Sequence, residues 1–232
     1  MFADPELAKQ IDSAEARLSA AIARGVEGSM DEELGGGRAV LVRPGSPVNK
    51  LIGVGFGAAI DEEVLGRIEA AWAERGEPMR VELSSLASPE VGLMLTRRGY
   101  RLHGFENVLG RELGKDEAAP AIRVEPAGDD TEWREVAVEG FAHADESAVT
   151  AEVHVREAIE PVMADMCGAA TAPAWRRRGV QAAMLGVRLA AARAAGARVA
   201  VVTTAPGSQS MRNVLRRGFA LLYTRAVLIR DR

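Results

Sequence analysis

The sequence predicts an α/β protein made of two similar αβ halves, and three observations carry that reading. Helix-period apolar patterns alternate with short apolar runs along most of the chain. A stretch near residue 100 recurs near the C-terminus. A basic, glycine-bearing turn joins a strand to a helix at residues 171–182.

The elements follow in order. Leu7, Ile11, Ala14, Leu18 and Ile22 share one helical face, so residues 7–24 read as an amphipathic helix. Residues 25–37, rich in glycine and acids, read as a loop. Strands are expected at 39–42 and 51–56, joined by a turn at Pro44-Gly45-Ser46-Pro47. Asp61 is a good N-cap for a helix over 62–75, and Glu62 and Glu63 suit the positive end of its dipole. A strand around Val81, a helix from Glu90 and a strand over 102–113 complete the first half. A linker over 114–120 contains Lys115, Asp116 and Pro120. The expected domains are therefore 1–113 and 121–232. The second half opens with a strand at 122–124 and helices over 131–140 and 152–166. An apolar strand at 167–170 then leads into the basic turn. After it come a helix over 180–195, a strand over 197–204 and a break at Pro206-Gly207-Ser208. Ser208 caps a short helix over 209–217 that stops at Gly218, and Phe219 leads into a last strand at 221–229.

The halves overlay. Shifted by 119 residues, Arg97-Arg98-Gly99-Tyr100 falls on Arg216-Arg217-Gly218-Phe219, Leu102 on Leu221 and Arg111 on Arg230. A repeated supersecondary unit of this size is the trace a duplicated domain leaves. The chemistry of the two copies differs. The first helix start carries Asp61-Glu62-Glu63, acids that would repel a phosphate. The second carries Arg176-Arg177-Arg178-Gly179 at a helix start, where the dipole is positive. Arginine keeps its charge, and glycine allows close backbone approach. Gly53-Val54-Gly55-Phe56-Gly57-Ala58 also fits a dinucleotide-binding glycine pattern, but the acidic helix start that follows opposes a diphosphate there. Glycines serving chain geometry are the competing explanation.

Arg176-x-x-Gly179-x-Gln181, after a strand ending in Thr171-Ala172-Pro173, resembles the pyrophosphate loop of the GNAT family of acetyl-CoA-dependent N-acetyltransferases. The strand, loop, helix, Gly218-Phe219, strand ending resembles the close of that fold. The resemblance implies a mixed α+β sheet, two GNAT-like halves with a degenerate first half, and acetyl-CoA as cofactor. It places the cofactor on Thr171, Arg176, Arg177, Arg178, Gly179, Val180, Gln181, Ala182 and Asn213. Thr203 and Thr204 end a strand near the expected cofactor thiol. Two departures stand out. Gln181 occupies a position where the family has Gly or Ala, and Val214 occupies that of a tyrosine proton donor. A third is that the usual strand hairpin before the loop strand is not apparent: it is absent, it belongs to a stretch outside this sequence, or the first half supplies those strands by pairing across. Tyr223 is the substitute candidate for the thiol proton. His143, Asp145 and Glu146, between two helices, are candidates for the base or the amine site. The expected activity is acetyl transfer to the amine of a small molecule or peptide. The alternative is a catalytically weak or inactive CoA-binding or regulatory module that acts through a partner.

Composition narrows the classes. The chain has 232 residues, 47% of them hydrophobic, enough for a real core in one large domain or two small ones. A net charge of −4 does not favour nucleic acid or anionic membrane as partner. The single cysteine, Cys167, allows no intrachain disulfide, and the scattered histidines give no metal-ligand cluster. Without a secretory pattern or a long apolar run, the cytoplasm is expected. A homodimer remains open.

Overall fold

The computed structural model describes residues 3–114, 122–125, 130–142 and 171–231. The helix expected at 152–166, the strand at 167–170, and His143, Asp145 and Glu146 lie outside these. The chain divides into two compact units. One gathers Met1–Gly110 with Val201–Arg232, and the other is Arg111–Ala200.

The chain opens with α1 (Pro5–Ala23). Asp4 caps it by accepting from the Leu7 amide at 2.8 Å, and Pro5 fills the first turn. Next come β1 (Met30–Leu34), β2 (Gly37–Leu41) and β3 (Lys50–Ile52). The expected loop at 25–37 thus contains a strand. Its charges hid it: Asp31, Glu32 and Glu33 mark an edge strand, and Arg38 of β2 holds Asp31 and Glu33 at 2.7 Å. Leu34 pairs with Gly37, so Gly35-Gly36 forms a two-residue hairpin turn, with φ of 56° and 79°. α2 (Glu62–Glu74), β4 (Met79–Ser84), α3 (Pro89–Arg97) and β5 (Arg101–Glu112) follow as expected.

Beyond the linker, residues 122–125 are not in a strand. α4 covers Asp130–Ala142, and a single 3₁₀ turn covers Pro173–Trp175. α5 (Val180–Ala194), β6 (Val199–Thr204), α6 (Gln209–Leu215) and β7 (Ala220–Arg230) complete the chain.

Among the described residues, seven strands form one mixed sheet in the order β1-β2-β3-β4-β7-β5-β6. β3 and β4 run parallel, while β7 runs antiparallel to both β4 and β5. The sheet is the α/β, mixed α+β arrangement the sequence predicts. The last strand of the chain lies between two strands of the first half, Leu228 pairing with Val81 on one side and with Leu102 on the other. One core cluster packs Leu65, Ile68 and Trp72 of α2 on Leu51 and Val81, with Leu95 of α3. Burying each such side chain contributes about 1.5–3 kcal/mol.

A second layer of contact is ionic. The Arg225 guanidinium, fully buried on β7, donates to Asp12 Oδ1 at 2.6 Å, Glu15 Oε2 at 2.6 Å and Glu82 Oε2 at 3.3 Å. Lys50 Nζ donates to Glu15 at 2.6 Å and to Glu82 at 3.1 Å. Burial alone would raise the Glu15 carboxyl, but the Lys50 and Arg225 charges outweigh it and hold the group at about 2. For Asp12 the balance is reversed. Burial outweighs the attraction of Arg225, and its pKa is raised. This network binds α1, β3 and β4 to the terminal strand.

Candidate functional site

The basic turn is built from its backbone upward. Pro173 cannot donate and starts the 3₁₀ turn, which closes with Trp175 N–H on Ala172 O at 2.9 Å. Arg176 is extended, at φ −64° and ψ 157°. Its Nε donates to Thr171 O at 3.1 Å, and its guanidinium donates to Gly140 O, near the C-terminus of α4, at 3.0 Å. A cation on the last carbonyls of a helix is favourable against the dipole. Of the three arginines, Arg176 thus also fastens the turn to its own unit, a use the sequence did not reveal. Arg178 lies over the Trp175 ring at 5.0 Å, and Trp175 is 57% exposed.

Two residues of the turn are left-handed. Arg177 has φ 61° and Gly179 has φ 82°. Glycine takes this conformation without penalty, whereas for arginine it costs roughly 1–2 kcal/mol. Strain of this kind gathers where a loop is shaped for a ligand. Gly179 is the N-cap of α5 and offers no side-chain cap. Ala183 N–H on Gly179 O, at 3.0 Å, is the first helical bond. Val180, Gln181 and Ala182 form the first turn, with no acid among them. The positive end of the dipole and the exposed charges of Arg177 and Arg178 thus belong to the same helix start. The donor set fits a diphosphate, and acetyl-CoA carries one.

The corresponding turn of the first half is filled differently. Asp61 Oδ1 accepts from Glu63 N–H at 2.9 Å and Val64 N–H at 3.1 Å, so its carboxylate occupies the helix start. Glu62 accepts from Arg98 at 3.2 Å. The glycines before it answer to packing. A Cβ on Gly55 would sit 2.8 Å from Ala87 Cβ, and Gly55 O accepts from Ser88 N–H at 2.8 Å. This is the chain-geometry reading of the glycine run. A cleft of about 400 Å³ opens beside the turn, lined by Phe56, Leu86 and the first turn of α1, with Asp4 and Glu6 among its charges.

The remaining expected site residues are placed as follows. Asn213, on α6, is half-buried, and its Oδ1 accepts from Gln209 Nε2 at 2.8 Å and from Arg216 at 2.5 Å. Tyr223, on β7, is a core residue, 4% exposed, and donates to Asp12 Oδ1 at 2.5 Å. Burial and the Asp12 charge push its hydroxyl pKa up, which weakens it as an acid. Val214 is buried at 3% exposure. Among the described residues no cluster could hold a metal ion, and no helix is long and apolar enough to cross a membrane.

Comparison with solved structures decides the architecture. A GCN5-related N-acetyltransferase from Kribbella flavida superposes at a TM-score of 0.65, covering 96% of this chain and 95% of its own, at 18% identity. The fold is the GNAT fold. A tandem GNAT protein from the clavulanic acid biosynthesis pathway superposes at 0.54, over 92% of this chain and 87% of its own, at 12% identity. A GCN5-related N-acetyltransferase from Sphaerobacter thermophilus gives 0.51, over 73% and 67%, at 14% identity. By sequence, no family profile and no curated protein matches.

Proposed function

We propose that the chain is an acetyl-CoA-dependent N-acetyltransferase with one cofactor site, at residues 176–182 of a degenerate tandem pair. The carrying observation is the contrast of helix starts: glycine at the N-cap among arginines at Gly179, an acidic N-cap followed by acids at Asp61. The loop would hold the pyrophosphate of acetyl-CoA through the helix dipole, Arg177 and Arg178, with Asn213 as a further contact. The acceptor is an amine of a small molecule or peptide. Its nitrogen, deprotonated by a base or through water, attacks the thioester carbonyl. The C–S bond breaks, and the thiolate takes up a proton. A thiol of pKa near 8.5 is a tolerable leaving group at neutral pH, so a donor in the position of Val214 helps without being required. His143 and Glu146 are the proposed base or amine ligands, and Tyr223 the proposed donor. The protein is expected in the cytoplasm, with no nucleic-acid or membrane partner.

The test is thiol release from acetyl-CoA over a panel of primary amines. Amine-dependent release, lost in the Gly179→Asp protein, supports the reading. A second reading, a CoA-binding module without turnover, is favoured by Val214 and by the Asp12 bond of Tyr223. CoA binding without release by any amine would establish it. Tyr223→Phe separates the tyrosine's two roles. Loss of its bond to a carboxylate should cost about 1–3 kcal/mol of stability. A fall in turnover at unchanged cofactor affinity would make it the donor, and unchanged turnover would leave it structural.

A further inference from the structure

The contact between Trp175 and Arg178 lies wholly within the unit that holds α5. The Arg178 guanidinium carbon stands 5.0 Å from the centre of the Trp175 ring, inside the range of a cation–π contact. The backbone between them makes the contact possible. Arg176, at φ −64° and ψ 157°, and Arg177, at φ 61°, come close to the two central positions of a type II turn. Such a turn brings its outer residues together, and here these are Trp175 and Arg178. Its second central position takes a positive φ, which glycine normally supplies. The strained backbone of Arg177 is thus what seats Arg178 on the ring.

Arginines elsewhere in the chain are held differently. Arg98 is fixed by Glu62 and Glu69, and Arg225 by Asp12, Glu15 and Glu82. A carboxylate orders a guanidinium but cancels its charge. An aromatic face orders it and leaves the charge intact. The ring meets only the flat face of the guanidinium, whereas its five N–H donors lie in the plane and point from the edge. Stacked on Trp175, Arg178 can therefore still donate to an anion. Both residues are exposed, so an anion can reach the pair from solvent. Ordering a free arginine at the moment of binding costs affinity, and a side chain held beforehand avoids that cost.

We propose that Trp175 is a positioning residue of the basic loop: its ring holds the Arg178 guanidinium, fully charged, at the start of α5, ready for the diphosphate of the cofactor. This deepens the acetyl-CoA reading and rests on it. Trp175 acts through Arg178, so its effect on binding exists only while the arginine is present.

The experiment is a double-mutant cycle on the full chain, read by calorimetry with CoA and by melting without ligand. It compares wild type, Trp175→Leu, Arg178→Met and the double variant, with Trp175→Tyr as the conservative control. Trp175→Leu should weaken CoA about two- to tenfold, the cost of ordering one free side chain on binding. In the Arg178→Met background the same change should leave CoA affinity as it is. Trp175→Tyr keeps an aromatic face and should bind CoA nearly as wild type does. Trp175→Leu should melt as wild type does, because the ring is 57% exposed. Unchanged CoA affinity in Trp175→Leu overturns the inference alone. So does an equal loss in both backgrounds, or a tyrosine variant as weak as the leucine one, because the ring would then not act through Arg178. A leucine variant that fails to fold or melts much lower also overturns it, by making the ring structural. A wild type that binds no CoA overturns the acetyl-CoA reading and this inference with it.

Discussion

The two helix starts, at Asp61 and at Gly179, lie in the same chain but carry opposite charge. In the first region charge is spent inward. Asp61 satisfies its own helix, Arg98 is shared between Glu62 and Glu69, and the Arg225 network nearby in the same unit closes on itself. In the second, Arg177 and Arg178 are exposed and the N-cap is a glycine with no side chain to offer. Internal pairing makes charge a structural element, and outward charge leaves it available to an anion. Substitutions in the first region should therefore be read in stability, and those in the second in binding.

The sharpest form of that contrast compares two arginines. Arg225→Met would leave Asp12 and Glu82 buried without their guanidinium and should cost about 3–5 kcal/mol in chemical denaturation. Arg177→Met should change stability little, because methionine bears the same left-handed strain, while weakening CoA. Equal losses of stability would break the distinction.

Much of this was legible in advance. Helix caps at Asp61 and Ser208, the terminal helix and strand, and the basic turn are local patterns, and local patterns survive in sequence. The β1 strand was not legible, because edge strands carry charge where interior strands carry apolar residues. Nor was the place of β7 between β4 and β5, a long-range pairing that no window of sequence encodes. Arg225 was hidden for the same reason. Its partners Asp12 and Glu82 are separated from it by 213 and 143 residues. Arg176 was half legible: its charge was apparent, but its hydrogen bonds to Thr171 and Gly140 were not.

Acid should expose the inward region next. Glu15 is held at about 2 in the folded protein against an ordinary 4.5. Its stabilisation is complete above pH 4.5 and is lost as pH falls toward 2, on the order of 3 kcal/mol in all. Asp12, raised by burial, acts oppositely. Its protonated form favours the fold, and that contribution fades as pH rises through its folded value. Melting temperature should thus fall as the pH is lowered through the Glu15 window, and Glu15→Gln should flatten that fall. An unchanged slope would mean that other carboxylates carry the acid sensitivity.

A smaller effect belongs to the caps. Asp61→Ala should cost about 1 kcal/mol of stability without creating a second CoA site. Gained CoA stoichiometry in that variant would show that the first turn is only masked by its cap.

Titration calorimetry with CoA, on wild type and Gly179→Asp, bears most directly on the difference between the two regions. Adding a carboxylate at the glycine N-cap mimics the acidic first turn. The account predicts one CoA per chain for wild type and no measurable binding for a Gly179→Asp protein that still melts cooperatively. Two equivalent sites, or unchanged affinity in the folded variant, would contradict it.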